Sequence, residues 1–288
     1  MNQNLWQVPL YSSPIVYRPM QEVDSALLEV TSGCSWRKCT FCDFARDPLR
    51  IFSLEEIRQK ARLLADQPHR ERLFLLGQNP FFLEFGVLKE IFAIVRQELP
   101  WTRQVSLYAR AEDVNKKTFQ QLQILHSLGL EELHIGVESG CEEILQQVQK
   151  GEDTQQMKRA FHVLDSVGIS YAVTLILGLG GRNRSQQHAL ETAAFLTEIR
   201  PRHIWAMALR LFPGTPLQMQ AETGAFVPLS WGELLEEERL LLENIQVTAP
   251  CVYTDSTILG KYTLMGRLPE GKKQLLQGLQ WAADKLDV

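Results

Sequence analysis

Six times along this chain a short apolar run gives way to a stretch with helical spacing, and that alternation restricts the fold more than any other feature. The apolar runs are Ala26 to Val30, Arg72 to Leu76, Gln104 to Ala109, Glu132 to Val137, Ser170 to Leu177 and His203 to Leu211. Strands that recur with a helix between each pair form a parallel sheet, because the crossover must be long enough to return the chain to its starting end. The helices carry their own start and stop signals. Ser53-Leu54-Glu55-Glu56 reads as a capping box, Asp153 or Thr154 caps a helix stopped by Gly168, and Pro201 closes a helix that begins near Ser185. Further helices are expected from about Lys117 to Gly129 and from Glu142 to Lys150.

Six units fall short of a closed eight-unit barrel, so the predicted fold is α/β, a partial (β/α)6 barrel over residues 24–217, with an extension over residues 1–23. Residues 218–288 differ in character. A helix near Glu233 to Asn244, an irregular stretch through Asp255 and a last helix from about Pro269 to Leu286 make a mainly helical C-terminal appendage that covers the barrel or lies on the substrate path.

Just after the first apolar run stand Cys34, Cys39 and Cys42, in the segment Thr31-Ser32-Gly33-Cys34-Ser35-Trp36-Arg37-Lys38-Cys39-Thr40-Phe41-Cys42. Three thiolates on one short loop can hold three corners of an iron-sulfur cube and leave the fourth iron open. Structural zinc is the competing reading, but it closes with four ligands, and the next histidine, His69, lies well outside the loop. Chance clustering of buried thiols is the third reading. Cys141 and Cys251 are too far apart to build a second cluster and read as ordinary buried cysteines.

The loop resembles that of the radical SAM superfamily, with Phe41 as the aromatic before the last cysteine, although Cys-x4-Cys-x2-Cys is one residue longer than the commonest spacing. The remaining pieces resemble the branch that includes oxygen-independent coproporphyrinogen oxidases, methylthiotransferases and elongator-type enzymes. They are Ile135-Gly136-Val137-Glu138-Ser139-Gly140, Gly178-Leu179-Gly180-Gly181 and Pro213-Gly214-Thr215-Pro216. The resemblance implies a partial barrel and two cofactors, a 4Fe-4S cluster on Cys34, Cys39 and Cys42, and S-adenosyl-L-methionine (SAM) chelating the fourth iron. It implies reductive cleavage of SAM to a 5'-deoxyadenosyl radical that removes hydrogen from a substrate, with an electron donor such as flavodoxin or ferredoxin.

The resemblance also implies cofactor-binding positions, each with a plainer alternative. Gly77 ends the second strand in Gly77-Gln78-Asn79, where the family often has Gly-Gly-Glu; only a backbone role transfers, and a strand-end turn explains the glycine equally. Glu138 can accept from ribose hydroxyls or the methionine ammonium, or serve the next helix, with Ser139 assisting either way. Arg110 can meet a carboxylate or sit in a surface salt bridge, and Arg210 has the same ambiguity. Gly178 would let the backbone approach adenine or simply turn the chain. Phe41 would lie against adenine or the cluster, or pack in the core. Tyr253 and Asp255 in the appendage could reach substrate.

The net charge of -4 gives no global attraction to phosphate. Basic residues including Arg46, Arg50, Arg58, Lys60, Arg62, Arg70 and Arg72 gather early, and from Arg58 onward they read as a solvated helix face and its exit. A small molecule or cofactor precursor is therefore the more economical substrate, and a nucleic-acid partner is not expected. RNA modification, tested by reversing Arg58, Lys60 and Arg62, and a non-catalytic haem carrier or regulator are the alternatives. Five cysteines without a disulfide framework suit a reducing cytoplasm. Met1 to Trp6 shows no signal peptide, and no run reaches the ~20 apolar residues of a membrane span.

Overall fold

The computed structural model describes residues 9–45, 47–256 and 263–286; Met1 to Trp6 and Arg46 lie outside them. The first βα unit comprises β1 (Ala26–Glu29), a hairpin of β2 (Thr31–Ser32) and β3 (Arg50–Ile51), and α1 (Leu54–Ala65). β4 (Arg72–Leu76) leads to α2 (Phe85–Glu98), and β5 (Gln104–Ala109) to α3 (Ala111–Asn115) and α4 (Phe119–Ser127). β6 (Leu130–Glu138) precedes α5 (Glu142–Gln147) and α6 (Thr154–Val167). β7 (Ser170–Leu177) precedes α7 (Ser185–Glu198), and β8 (His203–Ala208) precedes α8 (Pro216–Glu222) and α9 (Trp231–Asn244). β9 (Cys251–Asp255), β10 (Leu264–Leu268) and α10 (Lys272–Leu286) complete the described chain.

The main sheet has eight strands in the order β1, β4, β5, β6, β7, β8, β9, β10, so neighbours in the sheet follow one another along the chain. β1 with β4, β4 with β5, β7 with β8 and β8 with β9 are parallel, and β9 with β10 is antiparallel. This is the α/β architecture expected from the alternation. The stretch read as irregular before Asp255 differs: Val252, Tyr253 and Thr254 are good strand formers, and β9 extends the sheet beside β8 with His203 opposite Val252.

Contacts divide the chain into two compact units. One holds the chain to Arg37, Phe44–His134 and Val167–Ile169; the other holds Lys38–Asp43, Ile135–Ser166 and Ser170 onward. In the first unit, α1 starts at the expected capping box, where Ser53 and Glu56 bond reciprocally, and buries Ile57, Ala61 and Leu64. Lys60 departs from the solvated face assigned to it. It is buried and paired with Glu29 of β1, because it lies on the helix face that meets the sheet. Arg58 and Arg62 keep to the exposed side, where both reach Glu98. Arg72 pairs with buried Glu22 and Glu132, so it too is no solvated decoration.

In the second unit Ile135 and Val137 of β6 and Tyr171, Val173 and Leu175 of β7 are all buried; as alternate residues they share one face of each strand, the face that packs into the core. Asp153 caps α6, its carboxylate accepting from the Gln156 amide at 2.6 Å. No helix among the described residues is long and apolar enough to cross a membrane.

Candidate active site

The cysteine loop is tied at its base by the β2–β3 hairpin, with Thr31 opposite Ile51 and Ser32 opposite Arg50. Gly33 makes this closure possible. Its φ is +73°, and a Cβ there would stand 2.6 Å from the Pro48 carbonyl oxygen, a spacing no other residue tolerates. Arg37, in the longer first interval between cysteines, takes φ +58°, a left-handed conformation uncommon outside glycine.

Cys34 belongs to the first unit and Cys39 and Cys42 to the second. All three are partly exposed, and none is in a disulfide. In the second unit, the Thr40 amide donates to the Val148 carbonyl at 2.9 Å and the Leu217 amide donates to the Thr40 carbonyl at 3.0 Å. The end of α5 and the chain just past Pro213-Gly214-Thr215-Pro216 thus hold the middle of the loop. Phe41 is buried among Cys141, Ile144, Val148, Leu179, Leu217 and Phe226, and Cys39 and Cys42 pack against that cluster. Phe41 therefore anchors the loop in the core, at ~1.5–3 kcal/mol for such burial.

At the end of β4, Gly77 has φ +149°, and a Cβ there would collide with Thr31 Oγ1 at 2.0 Å. The side chain two residues later, absent from the expected set, makes the more informative contacts. Asn79 Nδ2 donates to Ser35 Oγ at 2.8 Å and to Asp113 Oδ2 at 2.7 Å. Arg110 is buried, with its guanidinium 4.8 Å from the Trp36 ring centroid and in a salt bridge with the partly exposed Glu112 at 3.6 Å. Within this unit Ser35, Trp36, Asn79, Arg110 and Asp113 form one connected set beside Cys34.

In the second unit, Glu138 ends β6 in a left-handed conformation, φ +65°. Its carboxylate faces Lys150 at 3.4 Å and accepts from the Thr174 hydroxyl at 3.2 Å. Buried Lys150 also lies 3.7 Å from Glu152. Ser139 is buried and its hydroxyl accepts from the Cys141 amide at 3.0 Å, a local bond at the start of α5. The Gly178 amide is taken by Glu237 Oε1 of α9 at 2.6 Å, and the same oxygen meets His188 Nδ1 at 2.9 Å. Arg210 is exposed and stacks over Phe212 at 5.0 Å. Tyr253 and Asp255 are fully buried, with the Tyr253 hydroxyl donating to Glu238 at 2.7 Å.

Cys141 and Cys251 are buried, and burial pushes their thiols up, to about 11 and about 12; a hydrogen bond with Glu191 adds to the rise at Cys141. Such thiols stay protonated and inert. Lys150, Asn79, Asp113 and Glu237 were not anticipated. Lys150 had a local signal, a lone lysine before Gly151, whereas Glu237 had none because its partners lie 59 and 49 residues away.

The donor set fits an iron-sulfur cluster and SAM. Three soft thiols share one partly exposed loop, and beside it Gln78 Oε1 and Asn79 Oδ1 are buried acceptors without a hydrogen-bond partner, available to an amine donor.

The sequence model of the Radical SAM superfamily matches residues 28–194, more than half of the 288-residue chain. A tRNA-2-methylthio-N(6)-dimethylallyladenosine synthase of Chlorobium phaeobacteroides is 25% identical over 184 residues, 61% of this chain and 40% of that protein. The synthase of the same name from Sulfurihydrogenibium sp. is 24% identical over 200 residues, 67% of this chain and 45% of its own. The chain thus spans less than half the length of these relatives. Their names do not support the expectation against a nucleic-acid partner.

Among solved structures, coproporphyrinogen III oxidase from Escherichia coli is similar with a TM-score of 0.58 at 16% identity, covering 76% of this chain and 52% of that one. Methylornithine synthase gives 0.56 at 16% identity, covering 77% and 63%. Likeness at this identity shows the fold, the partial α/β barrel. With that fold, and with the family's sequence model matched across more than half its length, the chain belongs to the radical SAM superfamily of enzymes, whose cofactors are a 4Fe-4S cluster and S-adenosylmethionine.

Proposed function

We propose that Cys34, Cys39 and Cys42 hold a 4Fe-4S cluster with one iron open to SAM, and that the enzyme uses this pair to remove hydrogen from an organic substrate. When bound and reduced by a one-electron donor such as flavodoxin or ferredoxin, the cofactors supply a 5'-deoxyadenosyl radical. The observation that carries this reading is the set of three partly exposed thiols, none in a disulfide, on one short loop that the β2–β3 pairing closes at its base.

In this reading Phe41 backs the cysteines, and Gly77 lets its backbone approach the methionine end of SAM. Glu138, held by Lys150 and Thr174, accepts from ribose or ammonium, while Ser139 fixes the turn that follows it. Arg110 serves a carboxylate, and Gly178 lies by adenine with α9 behind it. Residues 24–217 carry the chemistry, and residues 218–288 shape the substrate path. A reducing compartment such as the cytoplasm suits the thiols.

A small-molecule substrate is supported by how the early basic residues are spent. Arg50 pairs with Glu56, Arg58 and Arg62 with Glu98, and Lys60 and Arg72 with buried carboxylates. RNA modification is the second reading, favoured by the names of the matched relatives. It requires tRNA binding whose affinity falls steeply with salt, and absence of binding at low salt removes it.

The test is 5'-deoxyadenosine formation by anaerobically reconstituted protein with SAM and reductant, beside the Cys34→Ala/Cys39→Ala/Cys42→Ala variant. Formation that the variant lacks supports the reading. A bound cluster with no cleavage under strong reductant moves the assignment to a cluster-bearing carrier.

A further inference from the structure

Asn79 stands just past β4 with only 2% of its surface exposed. Its side-chain nitrogen has two partners, Ser35 Oγ and Asp113 Oδ2. An ionised carboxylate can only accept, so Asp113 fixes which end of the amide is nitrogen and which is carbonyl. The carbonyl oxygen is left buried with no partner. A buried acceptor without a donor is rare in a folded protein and is expected where a ligand brings the donor. Ser35 is the residue next to Cys34, so the amide is pinned to the loop of the first cysteine. The adjacent side chain, Gln78, also holds a buried oxygen without a partner. Two neutral acceptors match a ligand group with more than one N–H, an amine.

We propose that Asp113 is a positioning residue: through Asn79 Nδ2 it turns the Asn79 carbonyl oxygen toward the α-amino group of the ligand bound beside Cys34. This rests on the SAM-binding reading above. Asp113 itself is buried, and its second oxygen is occupied by Lys116 at 3.2 Å, so it acts through Asn79 rather than on the ligand. An amide in place of a carboxylate leaves the acceptor uncharged, and its direction then depends on the partner behind it.

The experiment measures equilibrium binding of S-adenosylhomocysteine and of its deamino analogue to anaerobically reconstituted protein, with iron and sulfide assayed in every sample. Asp113→Asn and Asn79→Leu are expected to weaken S-adenosylhomocysteine about tenfold or more and the deamino analogue by less than about twofold. The double variant Asn79→Asp/Asp113→Asn exchanges donor and acceptor and is expected to bring S-adenosylhomocysteine to within about threefold of the parent. Equal weakening of both ligands, no weakening, loss of iron from both single variants, or no recovery in the double variant overturns the proposal. Parent protein that holds its cluster yet binds neither ligand overturns the SAM-binding reading itself, a result distinct from all of these.

Discussion

Lys60 lies over the Phe52 ring, its ammonium 3.7 Å from the ring centroid and paired with Glu29, while Arg62, two residues on, stands in solvent. The Lys60 side chain is 1% exposed and that of Arg62 is 60% exposed. Reversing the two charges should therefore have very different effects. Lys60→Glu sets two carboxylates against each other in the interior and should cost about 3–5 kcal/mol or more. Arg62→Glu loses only an exposed partner of Glu98 and should stay within about 1 kcal/mol. Urea unfolding of the two variants checks this, and equal midpoints would contradict the burial of Lys60.

Glu238 gives a pH dependence with a definite sign. Burial first, and the charge of Asp255 second, push its carboxyl well above the usual range, against the hydrogen bond from Tyr253. Its folded value thus exceeds its unfolded one, about 4.3. Its contribution is full below that unfolded value and is lost as pH rises through the folded one. Glu238→Gln keeps an acceptor for Tyr253 and removes the titration. Thermal unfolding of the variant should match the parent near pH 4 and exceed it at pH 9; parallel profiles would contradict the assignment.

Phe41 links core packing to the cysteine loop. Phe41→Ala should cost about 3–5 kcal/mol and, by freeing Thr40 from Val148 and Leu217, lower the iron retained through anaerobic gel filtration. Phe41→Leu fills most of the space and should retain the iron. Equal iron in both variants would place the anchor of the loop elsewhere.

The six strands were legible because each is a short apolar run bounded by glycine, proline or a capping residue, and local chemistry decides such limits. Ser53 and Glu56 form the expected box for the same reason. Lys60 was misread because helical spacing separates faces but does not reveal that Glu29, 31 residues earlier, waits inside. The strand at Cys251–Asp255 was missed because it is short and pairs with β8 across the whole length of α9. Within the candidate site the three cysteines stand out in the sequence because they cluster on one short loop after the first strand. The roles around them do not: Asn79 draws its meaning from Ser35 and Asp113, 44 and 34 residues away, and the Gly178 amide is met by a carboxylate from α9.

The most direct test of the account is the electron paramagnetic resonance spectrum of the reduced, reconstituted protein before and after SAM is added. Three cysteines with one open iron predict a 4Fe-4S signal whose g-values shift on addition of SAM and that disappears in the Cys34→Ala/Cys39→Ala/Cys42→Ala variant. A signal that SAM leaves unchanged, or one that persists without the three thiols, would contradict it.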